Sequence, residues 1–375
     1  MNLHIMQDEK VISRTIDYFN EALPGQNVYI ILIPRVDYKC IHVKNECGNI
    51  YKVVYGTKLF WQAVGDVAQY KFIILHYLDN NKIRFTRRIC HPGIVWIIWG
   101  ADLYFRLLRP KGYRLFYDEN IIKKTIQSDY SPIKRMLANL KQRYIYRRTF
   151  KAAQKVRYLV GLQGDYDLLV KYYPYFRKIE RRDFFYYPLD EIIPNALLGK
   201  QDLKLGNDII VGNSGSIYGN HEEIFLQLSK IKTNERKVKV PLSYGASSVV
   251  KYVIEKGELL LGDRFVPILD FMPLDDYNKF LCSARTYIYG NYRQEAEGNI
   301  VVALYVGGAV FLHPSNVLLK EYRDMGCICF STEELAEKIN YHLTDDEKKT
   351  NMDIMRKHYN VHRLLNIIRT EFASN

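Results

Sequence analysis

Asp208-Ile209-Ile210-Val211-Gly212-Asn213-Ser214-Gly215-Ser216 is the stretch from which the rest of the chain can be read. A short apolar run breaks into Gly-Asn-Ser-Gly, and residues 221–231 then carry helical spacing. This order predicts a strand, a tight turn and a helix N-terminus. Such a turn offers free backbone N–H groups and the positive end of a helix dipole to an anion. Its glycines let the backbone approach a ligand closely, and Asn213 and Ser214 can donate further hydrogen bonds. On spacing alone, an ordinary connection between strand and helix accounts for these residues equally well.

Outward from this turn, strands and helices alternate with short loops. Strands are expected at 208–212, 237–240, 265–269, 286–289 and 309–312, with helices near 221–231, 247–256, 274–283 and 298–306. That alternation is the pattern of a doubly wound α/β domain. Upstream, 3–6 reads as a strand. Residues 11–23 read as a helix presenting Ile12, Ile16, Phe19 and Leu23 on one face, and 28–33 as a second strand. Strands at 50–54, 72–75 and 158–161 and helices at 59–67 and 165–172 follow the same logic. The run 94–99 is wholly apolar, as a buried parallel strand should be. The expected architecture is therefore two doubly wound, Rossmann-like domains facing across a cleft, 1–195 and 196–345. A linker is expected around 188–201, and helices in 346–375 are expected to pack back towards the first domain.

The bulk numbers bound the function. The chain has 375 residues, 48% hydrophobic and 25% charged, which is the balance of a folded globular protein. Its net charge of +13 calls for an anionic partner, and its 31 tyrosines suit a surface that meets sugars, bases or lipid headgroups. Cys40, Cys47, Cys90, Cys282, Cys327 and Cys329 are scattered without a CxxC pair, so reduced, mostly buried thiols are expected rather than a zinc site. The opening MNLHIMQDEK lacks the regions of a signal peptide. No apolar run reaches the length of a membrane span, so a soluble or peripheral protein is expected.

Doubly wound domains bind ligands at the C-terminal ends of their strands. In the second domain those ends carry Gly212, Asn213, Ser214 and Gly215, then Ser243, Tyr244 and Gly245. A last loop, Tyr292-Arg293-Gln294-Glu295-Ala296-Glu297-Gly298-Asn299, follows a strand and opens a helix. Arg293 suits a phosphate clamp, and Gly298 and Asn299 suit a phosphate cradle at a helix start. Glu295 or Glu297 suits sugar or ribose hydroxyls, although a solvated charged loop is the alternative. In the first domain, Asp102 follows the most apolar strand. A carboxylate placed there is costly unless it pairs or works, so Asp102 is the first expectation for a general base and Asp8 the second. His76 fits the same role by pKa, on the acceptor side, with a satisfied core histidine as the alternative. The basic segment 131–157, with Arg143, Arg147 and Arg148 among its cations, reads either as a solvated helix or as a patch for an anionic bilayer or a lipid-linked acceptor. No metal site is expected: no DxD-type pair sits at a strand end, and Asp275-Asp276 begins a helix, where carboxylates suit the dipole.

The segments Ile98-Trp99-Gly100-Ala101-Asp102-Leu103-Tyr104, Val211-Gly212-Asn213-Ser214-Gly215, Val240-Pro241-Leu242-Ser243-Tyr244-Gly245 and Arg293-Gln294-Glu295-Ala296-Glu297-Gly298 resemble, in the same order, those of glycosyltransferase family 56. His4-Ile5-Met6 to Asp8, with Arg14 and Phe19-Asn20-Glu21-Ala22-Leu23, is similar too. The resemblance implies a GT-B fold and an inverting, metal-independent transfer of a sugar such as Fuc4NAc or fucose. The donor would be a dTDP-sugar, or a GDP- or UDP-sugar, and no other cofactor is implied. The implied acceptor is a polyprenyl-diphosphate-linked saccharide, met by a cytoplasmic bacterial protein peripheral to the inner membrane. The family pattern around Arg293 is closer to RQQGIGT, so RQEAEGN here adds two carboxylates beside the expected sugar pocket. A nucleotide-sugar epimerase of GT-B-like fold and a basic nucleic-acid-binding protein are the alternatives from other classes, although no nucleic-acid-binding motif is present.

Overall fold

Short β-branched and aliphatic runs, each closed by a glycine or polar residue, make two separate all-parallel sheets. The structure is a computed structural model and describes residues 1–126, 131–193, 204–233 and 236–373. The first sheet contains β1 (Asn2–Gln7), β2 (Asn27–Ile33), β3 (Ile50–Val54), β4 (Phe72–His76), β5 (Ile94–Ile97), β6 (Tyr158–Val160) and β7 (Glu180–Arg182). Their order is β3-β2-β1-β4-β5-β6-β7. The second contains β8 (Asp208–Val211), β9 (Val238–Pro241), β10 (Phe265–Ile268), β11 (Ala284–Tyr289), β12 (Ala309–Leu312) and β13 (Phe330–Ser331), in the order β10-β9-β8-β11-β12-β13. In each sheet the winding reverses once, between β1 and β4 in the first and between β8 and β11 in the second. Such a reversal opens a crevice at the carboxyl ends of the two strands.

The first unit comprises Met1–Tyr113, Ala138–Pro188 and Val361–Asn375. Ile12, Ile16 and Phe19, on the helix Ile12–Ala22, are fully buried against Tyr29, Ile31, Ile74 and Val95. The last helix, Val361–Phe372, closes the same core through Leu364, Ile368 and Phe372, whose ring lies 5.4 Å from that of Phe19. Each such aromatic side chain contributes roughly 1.5–3 kcal/mol by leaving water.

The second unit comprises Arg114–Leu137 and Leu189–Asn360, which corrects the expected division at 195/196. Residues 114–117 belong to it because Asn220 binds their backbone: its Oδ1 accepts from Tyr117 N at 2.9 Å and its Nδ2 donates to Leu115 O at 3.2 Å. The helix Asp345–His358 also stays in this unit, contrary to the expectation that everything after 345 returns to the first domain. Buried Asn351 ties it to both backbone groups of Ile328, at 2.7 and 3.0 Å. Only Val361–Phe372 packs in the first unit. Most of the expected linker, from 194 to 201, lies outside the described residues. The cysteines are all free, but only Cys327 and Cys329 are buried, whereas Cys47 and Cys90 are exposed.

Candidate functional site

In the second unit the reversal between β8 and β11 is lined by backbone. Gly212 leaves β8 with φ +70° and donates its N–H to Ile288 O on β11 at 2.8 Å. A Cβ on Gly290, which follows β11, would stand 2.6 Å from Gly219 O. Gly215 pairs with Gly245 as an isolated parallel bridge, and a Cβ on Gly245 would meet Gly215 O at 2.3 Å. These approaches allow glycine alone. Asn213, Ser214 and Ser243 are half-buried, and their side chains take no hydrogen-bond partner among the described residues. The helix expected at 221–231 starts at His221 as read and ends at Leu228, but it does not follow the turn directly. A short 3-10 turn, Ile217–Gly219, intervenes before His221–Leu228, so the Gly212–Gly215 turn does not itself cap that helix.

The helix start at this edge is instead Glu297–Tyr305. It is preceded by Ala296 in the left-handed region (φ 63°) and carries no side-chain cap, so its first N–H groups are left without an intrahelical partner. Buried Arg293 lies beside it. Its guanidinium pairs with Glu295 at 2.8 Å, donates to Gln294 O at 2.8 Å and lies over the Tyr218 ring. Glu295 also accepts from Asn291 at 2.9 Å, so the two carboxylates of RQEAEGN have distinct duties. Burial raises the pKa of Glu297, against the opposing effect of Tyr359, whose hydroxyl donates to it at 3.0 Å. Asn299 is turned towards the Tyr277 hydroxyl, 3.1 Å away. Tyr244 is exposed, 5.9 Å ring to ring from exposed Phe271. A shallow cavity of about 590 Å³ lies nearby, lined by Leu242, Gly245, Ser247, Val250 and Leu269 among others.

Tyr292 stacks on His313 at 3.6 Å between centroids and donates to Glu223 at 3.2 Å. His313, Glu223 and His221 escaped sequence reasoning. His313 follows β12 directly, so a rule taking every polar residue at a strand end would have found it. Burial pushes His313 and His221 down to about 4 and raises Glu223. The Nε2 of His221 is buried without a hydrogen-bond partner, against Gly212 and Gly219.

The first unit closes its reversal with side chains. Fully buried Lys82 pairs with Asp79 at 2.6 Å and also bonds Gln7, which ends β1. Lys82 comes from Asn80–Arg88, a helix that the sequence reading did not propose, although Asp79 caps it by accepting from Asn81 N and Lys82 N. Asp102, expected as an open base, is fully enclosed. Its Oδ2 accepts from Leu78 N at 2.9 Å and Trp96 Nε1 at 2.7 Å, and its Oδ1 from Trp99 N at 3.1 Å. Burial raises its pKa, and those donors oppose the rise. It ties β5 to the loop after β4 and has no face open to a substrate. Asp8 is half-buried and accepts from Ile41 N, His42 N, Val43 N and the Tyr38 hydroxyl. Partial burial works the other way, but the backbone donors at 41–43 hold Asp8 below the usual carboxylate range.

His76 is likewise no surface contact. It is fully buried, 3.1 Å from His4 and 2.8 Å from the Tyr186 hydroxyl, and burial holds its pKa well below the usual value. The basic helix Pro132–Ala153 forms as expected. Arg143 and Arg147 are exposed on it, and Arg148 is half-buried. Its apolar residues Ile133, Met136, Leu137 and Leu140 are 52–68% exposed, so they are not a core face. Among the described residues no helix is long and apolar enough to cross a membrane, and no three His, Cys, Asp or Glu side chains converge as metal ligands.

Comparison with known proteins bears on the family and the fold. The profile of the family described as 4-alpha-L-fucosyltransferase, glycosyl transferase group 56, matches residues 133–348. Among solved structures, the chain is similar to a sucrose-phosphate synthase from Thermosynechococcus elongatus, with TM-score 0.60 and 10% identity over 99% of this chain and 98% of that one. An α,α-trehalose-phosphate synthase (UDP-forming) from Burkholderia vietnamiensis gives TM-score 0.62 and 8% identity over 99% and 98%. Anabaena HepE, in complex with UDP-glucose, gives TM-score 0.60 and 12% identity over 99% of each chain. At such identities the likeness establishes the fold, which is of GT-B type.

Proposed function

This chain belongs to glycosyltransferase group 56, the 4-alpha-L-fucosyltransferase family, and from that premise we propose an inverting transfer from a nucleotide diphosphate donor to a lipid-linked oligosaccharide. The sugar moved is of the Fuc4NAc or fucose type, carried by dTDP in preference to GDP or UDP. One observation carries this reading: the reversal between β8 and β11 presents close-packed glycines, an uncapped helix start and a buried arginine together. The arginine and the helix N–H groups at 297–299 are donors of the kind a diphosphate requires, whereas the N–H groups of Gly212 and Gly215 are already given to Ile288 O and Tyr244 O.

The donor's diphosphate sits against Gly212–Gly215, Arg293 and the N–H groups at Glu297–Asn299. The loop 243–245 with Phe271 seats the nucleoside. Glu295 holds Arg293 in place, and Glu297 accepts from a sugar or ribose hydroxyl. As the glycosidic bond to the leaving diphosphate breaks, the new charge falls on Arg293 and the helix dipole, without recourse to a metal ion. A carboxylate base takes the acceptor hydroxyl's proton while the acceptor oxygen attacks the anomeric carbon from the face opposite the leaving diphosphate. Asp8 suits this better than Asp102, because it is ionised and partly open whereas Asp102 is enclosed. The exposed apolar and basic side chains of Pro132–Ala153 support a peripheral seat on the cytoplasmic face of an anionic inner membrane.

A thermal-shift screen of the full chain with dTDP, UDP and GDP tests the donor site. A ligand at a hundred times its Kd stabilises the native state by about 2.7 kcal/mol, and dTDP is expected to give the largest shift. No shift with any of the three at millimolar concentration overturns the proposed site.

A further inference from the structure

A second cluster of cations lies in the first unit, apart from the residues of the proposed donor site. Tyr55, Gly56, Arg84, Arg87, Arg88 and Arg148 line a cavity of about 510 Å³. No carboxylate lines it, and none of the four arginines has an ion-pair partner among the described residues. Two of them are steadied by aromatic faces rather than by anions. Arg148 lies 5.2 Å from the Tyr144 ring and donates to that hydroxyl at 2.6 Å, and Arg88 lies 5.9 Å from the Trp61 ring. The Tyr55 hydroxyl and Arg148 Nε are buried, and neither has a hydrogen-bond partner. The Tyr55 ring is held by Phe60, at 5.0 Å. Burial raises the Tyr55 pKa, and Arg88, Arg84 and Arg148 pull against that rise, so their charge is felt at the hydroxyl.

Gathering four like charges costs free energy that a bound polyanion would return. Guanidinium forks match phosphate oxygens two at a time, and a cavity of this size lies within the range of small-ligand sites. We propose that this pocket is a phosphate-binding site, taking a diphosphate or a phosphate headgroup, separate from the site for the nucleotide sugar. The inference stands on this cluster alone and survives if the donor reading fails. Arg148 also places the pocket beside the exposed basic helix, where a phosphate attached to a lipid would arrive.

The test titrates inorganic pyrophosphate into the full chain by calorimetry and compares three variants. Arg84→Gln/Arg87→Gln/Arg88→Gln changes only exposed side chains and should fold. It is expected to remove one of two pyrophosphate sites, or to weaken it by about ten-fold or more. Arg293→Ala should remove the other. Lys134→Gln/Lys141→Gln/Lys151→Gln, with equal charge loss outside the pocket, should remove neither. Farnesyl diphosphate and vesicles of phosphatidylcholine with phosphatidylglycerol then separate the sources. Tighter binding of farnesyl diphosphate than of pyrophosphate, lost in the arginine triple variant, assigns a lipid-linked diphosphate. Vesicle binding lost in that variant assigns a membrane headgroup, and binding of pyrophosphate alone assigns a free anion. Equal pyrophosphate binding by the wild type and the arginine triple variant, or equal losses in the arginine and lysine variants, overturns the site.

Discussion

Between β1 and β4 the first sheet's reversal is filled by Lys82, Gln7 and Asp79, and the nearby carboxylates of Asp102 and Asp8 are bound to loop backbone. Between β8 and β11 the equivalent place is lined by backbone packed closely at Gly212, Gly215, Gly245 and Gly290, with Arg293 and an uncapped helix start beside it. Two sheets wound by the same rule thus use their crevices differently. Side chains fill the first and anchor loops there, and glycine backbone lines the second, where we propose that the donor's diphosphate binds. A carboxylate at a strand end can therefore serve as a base only where it keeps a face open to solvent, as half-buried Asp8 does despite its loop donors and fully enclosed Asp102 does not.

Removing the Asp8 charge should have the largest effect. Asp8→Asn retains an acceptor for the 41–43 loop but cannot take a proton, and turnover should fall about 10³-fold with the nucleotide Kd unchanged. Near-normal turnover would sever the first sheet's edge from the chemistry. Asp102→Ala comes next, because it orphans three buried donors. It should lower the unfolding free energy by about 3 kcal/mol in urea titrations. An Asp102→Asn protein of wild-type stability but without turnover would reverse the comparison and make Asp102 the base.

Arg293→Ala should weaken nucleoside diphosphate binding by about 2 kcal/mol, roughly thirty-fold in Kd by calorimetry. An unchanged Kd would leave the glycine-lined edge without its proposed anion. Acid stability offers the smallest step per group and compares both units at once. Burial lowers His4 to about 3, lowers His76, and lowers His221 and His313 to about 4. Above pH 6.5 these imidazoles are neutral in both the folded and unfolded states and contribute nothing to pH dependence. As pH falls below 6.5 only the unfolded chain takes up protons, so stability declines by about 1.4 kcal/mol per pH unit for each histidine until its folded pKa is reached. His221→Gln and His76→Gln should each flatten that decline between pH 6 and pH 4. A profile that neither variant changes would show these rings to be open to water.

Much of this was legible in the residues. The apolar runs at β8, β9 and β11 and the glycines after them marked the second sheet's reversal, because only glycine tolerates the backbone approaches found there. The first unit was harder. Asn80-Asn81-Lys82-Ile83-Arg84-Phe85-Thr86-Arg87-Arg88 carries few apolar residues, and its helix rests on the Asp79 cap and on a lysine buried by partners far away in sequence. Asp102 and His76 sit in positions that suit either chemistry or structure, and sequence position does not report which donors surround a carboxylate or how deeply an imidazole is buried.

By itself the sequence determined two parallel α/β sheets, the order of their strands along the chain except the short edge strands β7 and β13, and a glycine-rich turn with an arginine after a later strand. Local periodicity and φ requirements dictate those features, and both are properties of neighbouring residues. Tertiary structure alone decided that Asp102 is enclosed and Asp8 half-open, that residues 114–137 and 345–358 belong to the second unit, and that four arginines from two distant helices share one cavity. Desolvation, hydrogen-bond partners and charge clustering depend on groups separated by tens of residues, and packing alone brings those together.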